Sequence, residues 1–404
     1  MSPIASPPSN PPLSSRAEHR LVLLEGSRAL FPALVAAMAQ AREDILFETY
    51  IFDFQGDSLT VAEALAQAAL RGVRVRVVLD GVGTPQVPRG WAERWTQAGV
   101  DWHVYEPLGW LGLALPTRWR RLHRKLCAVD RVVAFCGGIN LLDDFHDPHQ
   151  RELLTQPRLD FAVQVHGPLV QAIRGTMTQL WWRMQLSRQL RHTQVSEALE
   201  TLREHESGPA LRARGRYRLV LRDNVRHRRS IQRSYLQAIG RAKDEILIAN
   251  AFFLPGGKLR RALVRAAQRG VKVRLLLQGH YEYLLPYRAS RQVYGSLLAA
   301  GVEILEYTPS YLHAKVAVID SRWLTVGSSN LDPLSLLLAR EANVVAQAPD
   351  VAADLRRALL RAMDQGGRVI GSDDHQRRSL GQRLLDWGAY TLMRLAIFLT
   401  AKRY

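Results

Sequence analysis

The chain repeats itself, and that repeat limits what it can fold into. "AREDILFETYIF" at 41–52 is matched by "AKDEILIANAFF" at 242–253, and "AALRGVRVRVVLDG" at 68–81 by "AAQRGVKVRLLLQG" at 266–279. "QAGVDWHVYEP" at 97–107 is matched by "AAGVEILEYTP" at 299–309. "RLHRKLCAVD" (121–130) and "YLHAKVAVID" (311–320) then follow in the same order, 190 positions apart (313 − 123). Segments that recur in order are the mark of a duplicated structural unit. The offsets drift by a few residues, as insertions in loops produce.

Each copy alternates short β-rich runs with helical ones. "DILFETYIF" and "VRVRVVLDG" read as strands. "LTVAEALAQAALRG" between them is amphipathic at helical spacing, with Gly72 as its C-terminal cap. That rhythm predicts an α/β fold: two pseudo-symmetric domains, each a sheet covered by helices. With 404 residues, 47% of them hydrophobic, the chain has material for two cores and is not a disordered protein. The expected organisation is a Pro/Ser-rich lead over 1–16, a first domain over 17–196, a polar linker over 197–213, a second domain over 214–370 and an amphipathic tail over 371–404. Cys127 and Cys136 flank a turn and are expected to be reduced and buried.

The repeated His-x-Lys carries the chemistry. On a strand, residues i and i+2 point to one face. His123 and Lys125 therefore share a side, as do His313 and Lys315. Leu126, Ala128 and Val129, like Val316, Ala317 and Val318, mark interior strands. A lysine held there must meet a strong anion or lose its proton. Asp130 and Asp320, seven residues after each histidine, fall at the strand's end, where they brace the turn or form a salt link elsewhere. Asn140 and Asn330 lie 17 residues after their histidines, in "GGIN" and "GSSN". A strand–turn–strand hairpin would return each asparagine beside the His-Lys face, where lysine and amide N–H groups suit phosphate oxygens.

Two such hairpins facing one another would build one pocket. One imidazole can attack phosphorus while the other protonates the leaving oxygen. The cationic side chains would stabilise the charge that develops, so no metal is needed. The attacking ring requires a carboxylate on its far nitrogen to fix the tautomer. Asp160 in "PRLDFAVQVHGP" and Glu341 in "LLLAREANVV" are the candidates, each preceding an apolar strand that could return beside its own hairpin.

With His123, Lys125, Asp130 and Asn140 in one copy and His313, Lys315, Asp320 and Asn330 in the other, the sequence resembles the phospholipase D superfamily over roughly residues 18–370. The resemblance implies two β-α-β-α domains sharing one active site at their interface, a phosphohistidine intermediate, and neither metal nor other cofactor. It places both aspartates with the histidines and lysines in the catalytic set, and Asn140, Asn330 and Ser328 on the substrate. Asp160 and Glu341 act in support. By position it makes His123 the nucleophile and His313 the general acid. "LVLRDNVRHRRSIQRSYLQAI" (219–239), "ILIANAFFLPGG" (246–257) and "TVGSSNLDPLSLLLAREANVV" (325–345) are similar to bacterial cardiolipin synthases, in the subgroup without N-terminal spanning helices. That branch implies phosphatidyl transfer between two phosphatidylglycerol molecules, with release of glycerol.

The formal charge of +18 favours an anionic partner, either nucleic acid or an anionic membrane face. The resemblance selects an anionic phospholipid membrane containing phosphatidylglycerol, with no nucleic acid and no obligatory protein partner. The expected location is peripheral, on the cytoplasmic side of the cell inner membrane. From Gly99 to His123 the first copy spans 24 residues, against 12 from Gly301 to His313. The extra "LGWLGLALPTRWRR" (108–121), with Trp110 and Leu111, reads as a headgroup-level contact that guides acyl chains. The tail "LLDWGAYTLMRLAIFLT" (384–400), broken by Asp386 and Arg394, reads either as interfacial or as a helix packed on the protein's own core. The same pocket would serve a phospholipase-type hydrolase or a nuclease, although the apolar insertion and tail have no use in a nuclease.

Overall fold

The computed structural model describes residues 19–107, 120–145, 154–189, 215–223, 227–280, 284–332, 339–372 and 378–401. The expected lead, the linker over 197–213 and the apolar segment 108–119 fall outside these described residues.

The first half runs β1 (Arg20–Glu25), α1 (Ser27–Ala39), β2 (Asp44–Thr49), α2 (Ser58–Leu70), β3 (Arg74–Asp80), α3 (Arg89–Ala98), β4 (Asp101–Tyr105), β5 (Arg121–Leu122), β6 (Leu126–Val129), β7 (Val133–Gly137), β8 (Phe161–His166) and α4 (Leu169–Gln189). The second runs β9 (Tyr217–Arg222), α5 (Ser230–Arg241), β10 (Glu245–Asn250), α6 (Gly257–Gln268), β11 (Lys272–Gln278), α7 (Leu284–Leu298), β12 (Glu303–Tyr307), β13 (Lys315–Ile319), β14 (Trp323–Gly327), β15 (Ala339–Gln347), α8 (Pro349–Gly366), β16 (Gly367–Val369) and α9 (Leu380–Ala401).

The two sheets have one topology, as a duplicated sequence requires. The first is ordered β4-β3-β2-β6-β7-β8-β1 and the second β12-β11-β10-β13-β14-β15-β9. In each, three parallel strands built by βαβ crossovers continue into an antiparallel meander. The second sheet also takes β16 beside β12. The sheets are therefore mixed, and the expected two pseudo-symmetric α/β domains are present.

Side-chain alternation decides which face goes where. Ile45 and Phe47 of β2 join α1 and α2 in an outer core, while Leu46 points to the opposite face. In β13, Val316 and Val318 point inward, and Ala317 and Ile319 join the outer core with α5, α6 and α7. The two inner faces share one continuous core with α4 and α8, which fastens the halves together. The same alternation separates the cysteines. Cys127 and Cys136 sit on adjacent strands but on opposite faces, and both are free and buried.

The aspartate at the end of each His-Lys strand belongs to this frame. Asp130 and Asp320 both have φ 51°, a left-handed turn conformation that aspartate tolerates. The Asp130 carboxylate accepts the backbone N–H groups of Arg42 (3.1 Å), Glu43 (2.9 Å) and Asp44 (3.0 Å). Asp320 accepts those of Lys243 (3.0 Å), Asp244 (2.9 Å) and Glu245 (3.0 Å). Each pins the start of a central strand from the far end of β6 or β13, about 16 Å along the chain from the lysine at strand spacing. The resemblance places both aspartates in the catalytic set; here their carboxylates are engaged by backbone N–H groups at the far end of the strand. Asp320→Ala, which strands three N–H donors and puts alanine at positive φ, is expected to cost about 1–3 kcal/mol. A lowered melting temperature with an unchanged pH profile of activity checks it.

Candidate active site

The two His-Lys motifs meet because each half inserts a short piece of chain into the other. β5, just before His123, pairs in parallel with Ala339 and Arg340 of β15 in the second sheet. Leu312, just before His313, bridges to Leu159 of the first half. Backbone hydrogen bonds seal both joints: His123 N–H to the Arg340 carbonyl (3.1 Å) and His313 N–H to the Leu159 carbonyl (2.9 Å).

This exchange crosses the carboxylates. Nδ1 of His123 lies 3.1 and 3.2 Å from the two carboxylate oxygens of Glu341, in the second half. Nδ1 of His313 lies 2.7 Å from Oδ2 of Asp160, in the first half. β8 and β15 do return beside their own hairpins, as the sequence leads one to expect. The carboxylate that precedes each strand nevertheless serves the opposite histidine. With Nδ1 engaged, each ring keeps Nε2 for chemistry.

Lys125 and Lys315 lie within the same cluster. Lys125 Nζ donates to the His123 carbonyl (3.0 Å), and Lys315 Nζ donates to the His313 carbonyl. Burial pushes Lys125 down to about 7, against the pull of Glu341 and Asp160 and with help from the Lys315 charge. Burial likewise lowers His313 well below its ordinary value, with Lys315, Lys125, Arg158 and His123 adding to the effect. His123 is also lowered by burial, but Glu341 opposes that shift. The groups of the two halves thus act on one another across a single site.

The two dyads are not alike, and the difference is geometric. Glu341 accepts the Ser328 hydroxyl and pairs across the sheet with Arg222, a buried cation. Burial pushes Glu341 up, but His123, Lys125 and Arg222 outweigh it and hold the carboxylate low. At the equivalent positions Asp160 faces two glycines. Gly138 stands where Ser328 does, and Gly26, whose N–H meets the Asp160 carbonyl (2.9 Å), where Arg222 does. A Cβ on Gly138 would lie 2.4 Å from Oδ1 of Asp160, so no side chain fits there. Among the described residues Asp160 keeps one backbone donor, the Phe161 N–H at 2.8 Å, and burial raises it to about 7 despite Lys315 and Lys125. Ser328, expected on the substrate, gives its hydroxyl to Glu341.

Asn140 lines a cavity with Asp144, Arg158, Asp160 and His313, and accepts the Ile51 N–H at 3.4 Å. Asn330 is buried, and among the described residues its side-chain oxygen has no partner, a polar demand that a bound substrate can meet. Two further contributors escaped sequence reasoning. The Tyr50 ring lies 4.8 Å from that of His123 and 5.2 Å from Lys125 Nζ, and Arg158 stacks over Tyr311 at 5.6 Å. Tyr50 follows the carboxyl end of β2, where α/β sheets gather their ligands, and that position was a usable signal. Trp110 and Leu111 of the apolar insertion lie outside the described residues.

Comparison with known proteins agrees with this geometry. The family described as "Cardiolipin synthase, PLD-like domain" matches residues 34–154 and 235–363. The chain is 38% identical over 340 residues to cardiolipin synthase B of Salmonella typhi, covering 82% of this chain and 77% of that one. It is 36% identical over 341 residues to cardiolipin synthase B of Escherichia coli K12, with the same coverage. In fold it is similar to the phosphatidylserine synthase of Haemophilus influenzae, at TM-score 0.64 and 11% identity over 94% of each chain.

Proposed function

The chain belongs to the cardiolipin synthase family of phospholipase D-like domains, and on that premise we propose that it transfers the phosphatidyl group of one phosphatidylglycerol to a hydroxyl of a second. The products are cardiolipin and glycerol. The crossed dyads carry this reading: two imidazoles, each oriented through Nδ1 by a carboxylate from the other half, with two lysines beside them.

In the first step, Nε2 of His123 attacks phosphorus. A P–N bond forms, the P–O bond to glycerol breaks, and His313 gives its Nε2 proton to the departing oxygen. In the second step the hydroxyl of another phosphatidylglycerol attacks the phosphohistidine. His313 takes that hydroxyl's proton, the P–N bond breaks, and His123 is regenerated. Lys125, Lys315 and the two asparagines stabilise the charge on the equatorial oxygens.

The order of roles follows from counting protons per dyad rather than per ring. A carboxylate with a serine and an arginine beside it stays ionised, so the His123–Glu341 pair holds one proton, on Nδ1, and leaves Nε2 bare. Asp160, deprived of those partners, holds the extra proton of its pair up to about 7. That pair is the acid. This supports the assignment of His123 as nucleophile and His313 as general acid.

Phosphatidylglycerol in an anionic bilayer is the proposed substrate, met from the cytoplasmic side of the inner membrane. Among the described residues no helix is long and apolar enough to cross a membrane. The test is incubation with labelled phosphatidylglycerol vesicles and, separately, with plasmid. Cardiolipin and glycerol in equal amounts, with little effect of EDTA, are expected. Phosphatidic acid as the main lipid product would make the protein a hydrolase, and nicked plasmid a nuclease.

A further inference from the structure

The C-terminal helix is built the wrong way round for a helix in water. Leu380, Leu384, Trp387 and Leu395 of α9 recur at i, i+4, i+7 and i+15 and so share one face. Leu384 is 67% exposed, Trp387 58% and Leu395 52%. Leu385 and Leu392 flank this stripe and are also exposed. On the opposite face Ala389 and Met393 are buried in the outer core with Ala289, Val293 and Leu297 of α7. The one carboxylate of α9, Asp386, is also turned inward, 2% exposed, and paired with Arg288 (3.3 Å) and Arg378 (2.6 Å). Leu284 and Leu285, one turn before Arg288 on α7, are exposed as well.

The charges select the occupant. Asp386 is the sole acidic residue from 380 to 404, and it faces the core. Arg383 and Arg394 border the apolar stripe and are exposed, Arg394 stacking over Tyr390 at 5.8 Å. An outward face that is apolar and aromatic at its centre, cationic at its edge and free of carboxylates is complementary to an anionic lipid surface. A second copy of the chain laid on the same stripe would bring like-charged arginines together.

We propose that the outward face of α9 lies in the headgroup region of an anionic bilayer, as a helix along the surface with its packed face holding the second domain to the membrane. This deepens the lipid reading of the active site and rests on it. The ion pairs of Asp386 fix the rotation of α9, so that the leucines and Trp387 are held outward before any lipid is met.

The experiment compares wild type with the variant carrying Leu384→Glu, Trp387→Glu and Leu395→Glu. Sedimentation with phosphatidylglycerol vesicles is expected to show binding of the wild type and at least about tenfold weaker binding of the variant. Vesicle turnover should fall in parallel, while turnover of monomeric short-chain phosphatidylglycerol stays at the wild-type level, which also certifies the fold. A polarity-sensitive dye on Leu384→Cys should report an apolar environment with these vesicles and not with phosphatidylcholine vesicles. Equal vesicle binding by wild type and variant would overturn the proposal. So would a dimeric wild type that the variant converts to monomer with vesicle binding intact. Should neither protein turn over short-chain lipid, the activity reading fails, yet the difference in sedimentation still decides the role of α9.

Discussion

His313→Ala, given a phosphatidyl ester of 4-nitrophenol, is expected to release one equivalent of nitrophenolate and then stop. Nitrophenolate departs without a proton, so the first step can proceed on His123 alone. The second step cannot, because the incoming hydroxyl has lost the base that takes its proton. The phosphoryl group should remain on His123, detectable as a mass increase on the peptide that contains it. With phosphatidylglycerol the same variant should lose at least about 10³-fold, since a glycerol alkoxide does not leave unassisted. His123→Ala should show neither burst nor adduct with either substrate. A burst from His123→Ala and none from His313→Ala would reverse the two roles.

The crossed carboxylates give the second large effect. Glu341→Gln and Asp160→Asn are each expected to lower phosphatidylglycerol turnover by about 10²–10⁴-fold, through loss of the tautomer and orientation each ring needs. They should differ in every other respect. A glutamine N–H can donate to Nδ1 of His123 and force the ring proton onto Nε2, which silences the nucleophile, so Glu341→Gln should lose the nitrophenolate burst too. Asp160→Asn leaves the nucleophile untouched and should keep that burst.

The pH profiles separate them further. In the wild type the rate should rise as His123 loses its proton, below the ordinary histidine value of about 6.5, because burial lowers that ring. It should fall as the Asp160–His313 pair and Lys125 lose theirs at about 7. In Asp160→Asn the alkaline limb of the residual activity should move to lower pH, since the group that retained the proton is gone and Lys125 loses a carboxylate that opposed its lowering. In Glu341→Gln the acid limb should move down, because the charge that opposed the lowering of His123 has been removed. Profiles of both variants superimposable on the wild type would sink the dyad assignment.

Much of this architecture is legible in the sequence, for identifiable reasons. The unbroken apolar runs "VAVI" and "LCAV" mark strands covered on both faces, and the repeated order of segments fixes two such sheets. The seven-residue step from histidine to aspartate already places Asp130 and Asp320 at the strand's far end, where a carboxylate braces a turn more readily than it meets a substrate. The crossing of Asp160 and Glu341 is not legible. Each follows its own hairpin in sequence, and only the docking of the inner faces, through β5 on β15 and Leu159 against Leu312, decides which ring it reaches. Nor could the rotation of α9 be read. Its composition suits either burial or an interface, and the partners of Asp386, Arg288 on α7 and Arg378 before the helix, settle which face turns inward.

The glycine pair beside Asp160 and the serine–arginine pair beside Glu341 have one more consequence. Two perfectly matched dyads would share a single surplus proton with even odds, and half of all encounters with lipid would find attacker and donor exchanged. An unfused, symmetric pair of halves could not escape that degeneracy. Joining the copies in one chain lets the two neighbourhoods differ at Gly26, Gly138, Arg222 and Ser328, and on the roles proposed for His123 and His313 that difference would set a direction of proton flow before any substrate arrives.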